Sequence, residues 1–86
     1  MTKKASALKS LESINILLDK VFEEKTAFTE VRPYCTYELS RIRRILAGHP
    51  FADDINELID TAIAYSDSLE SLGYVVDDLY NAVECL

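Results

Sequence analysis

Tryptophan is missing from this 86-residue sequence, glycine and proline occur twice each, and no lysine, arginine or histidine stands after His49. So few breakers, with 49% hydrophobic residues, favour helix and leave no stretch that looks disordered. The two cysteines, Cys35 and Cys85, are isolated. That is too few for a secreted disulfide scaffold and the wrong spacing for zinc, so a reducing, cytoplasmic compartment is expected. Lys3 and Lys4 are not followed by an unbroken apolar core, and no run approaches the roughly 20 apolar residues of a membrane span. Neither a signal peptide nor a membrane segment is therefore expected.

Also absent are a glycine-rich phosphate loop, a nucleophile elbow and a metal motif. The neighbouring acids Asp53-Asp54 and Asp77-Asp78 do not make an acid/base dyad, since adjacent helical residues diverge by about 100°. No enzyme activity and no cofactor are expected. The length allows one domain over 1–86, because chains divide into several cores only at roughly 250 residues. Its core must be thin, and oligomerisation would be an ordinary remedy.

What the chain does have is a sharp division of charge. Residues 1–49 hold nine bases and six acids, a net of +3, whereas residues 50–86 hold nine acids and no base, a net of −9. Direct nucleic-acid binding through the last third is not expected, because phosphate contacts need Lys and Arg. A basic partner surface is.

Apolar periodicity predicts an antiparallel all-α bundle of a long, a short and a long helix with a coiled-coil-like seam. The first helix follows Leu8, Leu11, Ile14, Leu17, Leu18, Val21 and Phe22, capped by Thr2 or Ser6, and runs weakly on to Phe28. Pro33 should end or bend it and suits the first turn of a short helix carrying Cys35, Leu39, Ile42 and Leu46. Gly48 reads as a left-handed cap, and Pro50 opens the third helix.

From Phe51 the seam Ile55, Leu58, Ala62, Tyr65, Leu69, Leu72, Val76, Leu79, Val83, Leu86 steps by three and four to the end. It predicts one rod of about 36 residues, roughly 54 Å long. A break at Gly73, giving a fourth short helix, is the alternative.

The candidate partner-binding residues are Asp53, Glu57, Asp60, Asp67, Glu70, Tyr74, Asp77 and Asp78, on the side of this rod opposite the seam. Carboxylates a turn apart on a rigid helix can imitate a row of phosphates and engage the Arg and Lys of a nucleic-acid-binding protein, with Tyr74 as anchor. This predicts a small acidic inhibitor or adaptor, of the kind found among phage and mobile-element factors and toxin-neutralising proteins. The alternative is a self-associating coiled-coil protein. Its candidate contacts are Ile16, Ile63 and Tyr74, which fall outside the seam, and the basic cluster with Arg41 and Arg44 on one helical face.

Arg44 to His49 spells Arg-x-x-x-x-His, a spacing that resembles the HEPN ribonucleases. The resemblance covers six residues and implies RNA cleavage by an arginine and a histidine paired across a dimer. Ile45 stands where that family usually has a polar residue, and its members usually have more helices than this chain can supply.

Overall fold

Thr2 starts the first helix by the mechanism expected, its side-chain oxygen accepting the Ala5 amide at 3.1 Å. In the computed structural model, which describes residues 2–86, four helices follow: α1 (Lys3–Phe22), α2 (Phe28–Ile45), α3 (Ala52–Ala64) and α4 (Leu69–Glu84). Consecutive helices are packed antiparallel, and α4 closes back on α1, so each helix touches two neighbours. The fold is an all-α bundle around one aliphatic core that includes Leu11, Ile14, Leu39, Ile42, Ile59, Leu72 and Leu79, all fully buried.

Three boundaries differ from expectation. The first helix ends at Phe22 rather than running on to Phe28. Glu24 takes a left-handed φ of 61°, the Lys25 amide donates to the Lys20 carbonyl at 2.9 Å, and the Glu24 amide to Val21 at 3.0 Å. This pair of bonds is the usual glycine-terminated helix end, built here on a residue that pays for its Cβ. No glycine marked it in the sequence.

The second helix is longer than expected, and Pro33 lies inside it rather than at its first turn. Val31 and Phe28 bury apolar surface one and two steps upstream of Cys35, so the core-facing row continues across the proline. That burial offsets the lost Pro33 amide.

The rod from Phe51 onward does not exist, and the chain breaks at Tyr65–Ser68 rather than at Gly73. A 54 Å helix would also exceed the molecule's longest extent of 38 Å. The Ser68 hydroxyl caps α4, accepting the Ser71 amide at 3.3 Å, while the buried Ser66 hydroxyl donates to the Ile63 carbonyl at 2.8 Å. Ser66-Asp67-Ser68 is therefore a turn and cap that an unbroken three-and-four spacing concealed. Up to the break the core face is out of phase with the expected seam: Tyr65 and Phe51, assigned to the seam, are exposed, and Ile59, left out of it, is fully buried, whereas beyond the break Leu72, Val76, Leu79 and Val83 are buried as expected. Gly73 lies within α4, and the third helix starts at Ala52 rather than at Pro50.

Two predictions follow from the backbone and the core. Glu24→Gly should stabilise the fold by about 1 kcal/mol, whereas Gly48→Ala, at φ 82°, should destabilise it by about as much; chemical denaturation reads both, and equal signs would contradict the assignment. Burial, with the Glu38 charge second, pushes the Cys35 thiol up from 9.0 to about 11. Its contribution is whole below pH 9 and is lost towards pH 11, as the unfolded chain ionises first. Wild-type stability should thus fall more steeply than that of Cys35→Ala across this interval, and parallel curves would refute it.

Candidate functional site

With 3.6 residues per turn, the exposed positions of α1 separate into two flanks. Towards α4 it presents Glu12, Asn15, Asp19 and Phe22, and towards α2 it presents Ser13 and Ile16, with Lys9 and Lys20 one turn from them. Glu12 and Asp19 thus line the hollow beside α4, while Lys9 and Lys20 do not.

Across the first flank, α4 contributes Leu69, Glu70, Gly73, Tyr74 and Asp77, then Tyr80 and Asn81. These elements line an open groove of about 620 Å³, which continues past Asp77 into a second hollow of about 500 Å³. A Cβ added to Gly73 would meet nothing within 4 Å, so the glycine leaves a side chain's worth of space beside Leu18. Phe22 and Tyr74 stand at its edges, 61% and 65% exposed. The charged residues of the groove are Glu12, Asp19, Glu70 and Asp77. No Lys or Arg lines it, and none of the four carboxylates has an ion-pair partner among the described residues.

The residues expected to form one acidic stripe are divided by the break at Tyr65–Ser68. Glu70, Tyr74 and Asp77 enter the groove. Asp53 and Glu57 are exposed on α3, away from it, and Asp78 is exposed on α4 but does not line it. Asp60 and Asp67 are taken by the chain's own cations, Asp60 by Arg43 and Asp67 by Arg32, which also donates from Nε to the Ser66 hydroxyl at 3.4 Å. The first pair joins α3 to α2, and the second joins the turn after α3 to α2. Exposed pairs of this kind contribute at most about 1 kcal/mol each.

Of the candidate self-association residues, Ile63 is half-buried against the core and Ile16 is exposed. Arg41 reaches Glu38 at 3.9 Å, and Arg44 has no ion pair among the described residues. His49 is occupied in the α2–α3 connection, where its Nδ1 accepts the Phe51 amide at 3.3 Å.

Sequence reasoning missed the α1 half of the groove: Glu12, Asn15, Asp19 and Phe22. Their spacing of three, four and three places them on one flank of α1, but that α4 lies along this flank is visible only in the folded chain.

Like charges facing each other across a groove cost stability. Asp77→Lys should therefore raise stability by about 0.5 kcal/mol, as it removes one acid facing Glu12 and Asp19 and substitutes a better helix former. A lower denaturation midpoint would show that Asp77 stabilises the fold instead.

No protein-family model, no curated protein and no solved structure matches this chain, so its fold and groove stand on the residues themselves.

Proposed function

We propose that the chain is a small non-enzymatic binding protein, an inhibitor or adaptor, whose α1/α4 groove covers the basic surface of a partner protein that handles nucleic acid. One observation carries the reading: four carboxylates line an apolar-floored groove with no cation among them. A chain selected only to fold would gain from a lysine there, as α3 and the turn after it gain from Arg43 and Arg32.

The chemistry of the groove defines what it takes. Carboxylates along both rims complement a row of Lys and Arg, and their field accelerates encounter with a positive surface. Phe22 and Tyr74 supply the large apolar area on which an interface depends once charge has aligned it. A surface with cations spaced for phosphate meets the first requirement, which is why a nucleic-acid-handling protein is the partner class proposed.

Capture from lysate tests this, with added duplex nucleic acid as competitor. Wild-type protein should retain basic proteins that the nucleic acid displaces, Glu70→Lys/Asp77→Lys should lose them, and Asp53→Lys/Asp54→Lys on α3 should keep them. Equal capture by all three, with unchanged helical signal, would overturn the assignment of the groove.

A further inference from the structure

The acidic groove carries an order along its length as well as a sign. Asn15 and Asp77 line both of its hollows, Phe22 and Glu70 only the first, Glu12 and Asn81 only the second, so α4 runs antiparallel to α1. Each rim repeats its carboxylate after seven residues: Glu12 and Asp19 on α1, Glu70 and Asp77 on α4. At about 1.5 Å per residue that repeat is roughly 10.5 Å. Between the rims the floor includes Leu18 and Leu69 and is open at Gly73.

We propose that the segment a basic partner lays in this groove is an amphipathic helix whose apolar row is flanked on both sides by Lys or Arg. Seven residues make about two helical turns, so each flank of such a row returns its side chains at the spacing of the carboxylates it faces. The apolar row itself packs on Leu18, Leu69 and the open floor at Gly73, with the exposed rings of Phe22 and Tyr74 at its edges. From Glu12 to Phe22 the α1 rim runs about 15 Å, which seats about three turns of the visitor.

An extended segment does not fit. Side chains on one face of a strand recur about every 6.7 Å, so a carboxylate repeat of roughly 10.5 Å falls between one step and two. Two packed helices also lack the unpaired backbone edge to which an extended peptide adds as a strand. The inference rests on the proposed function of the groove as a docking site for cations. It adds the conformation and the charge spacing of what docks there.

The probes are two labelled synthetic peptides of about 18 residues and identical composition, one with leucines in a heptad row flanked by lysines, the other with leucine and lysine alternating at the strand period. Fluorescence anisotropy reads binding, and circular dichroism confirms that each protein variant folds. The heptad peptide should bind the wild type about tenfold more tightly than the alternating one and gain helix as it binds. Glu70→Lys/Asp77→Lys should weaken it by about tenfold or more, whereas Asp53→Lys/Asp54→Lys, with the same change of net charge on α3, should bind it as the wild type does. Gly73→Leu keeps every charge but fills the floor with a better helix former, so its denaturation midpoint should rise while the heptad peptide binds more weakly.

Equal binding of the two peptides, both weakened by Glu70→Lys/Asp77→Lys, overturns the helical occupant while upholding the groove as a site for cations. Unchanged binding to Gly73→Leu overturns the seating of an apolar row on the floor, and with it the inference. If the heptad peptide does not bind the wild type, or binds both charge variants equally, the occupant and the groove fail together.

Discussion

Closure of the ring by α4 is the constraint on which the molecule depends. A chain of this size has little apolar surface to spare, and α4 must cover both α1 and α3 to seal the core. It does so with Leu72, Val76, Leu79 and Val83, spaced by four, three and four and all buried. No ion pair joins it to either neighbour among the described residues. Its attachment is therefore apolar, and salt favours it by screening the facing carboxylates, in contrast to the α2–α3 contact, where two exposed ion pairs add a component that salt weakens.

Charge follows from that arrangement. The arginines of α2 that face α3 are matched to Asp60 and Asp67, whereas Asp53, Asp54 and Glu57 of α3 remain exposed without an ion pair among the described residues. The acids of α4 face an α1 flank that carries Glu12 and Asp19, so nothing within the molecule neutralises them. The acidic groove is consequently built by two helices from opposite ends of the chain, rather than by one.

Helix content, the absence of a long apolar span, the left-handed Gly48 and most of the core were legible from residue type and spacing. Two of the boundaries turn on local punctuation against periodicity, which conflict in this sequence. At Pro33 the breaker is overridden, because Phe28 and Val31 keep the helix's apolar row going. At Ser66-Asp67-Ser68 the periodicity is overridden, because the serines supply a turn and a cap. At Glu24 no local signal existed, because the backbone adopts there a conformation that glycine would ordinarily mark. Half of the candidate groove was legible as Glu70, Tyr74 and Asp77. The other half required knowing that α4 returns to lie along α1, which a single continuous rod would have prevented.

Gly73 also shapes the spacing of charge along the groove. The missing side chain leaves open space beside Leu18 and Leu69, with Glu70 and Asp77 roughly one turn to either side of it. One missing methyl group thereby leaves bare backbone, rather than a side chain, between the two acids that α4 turns towards α1.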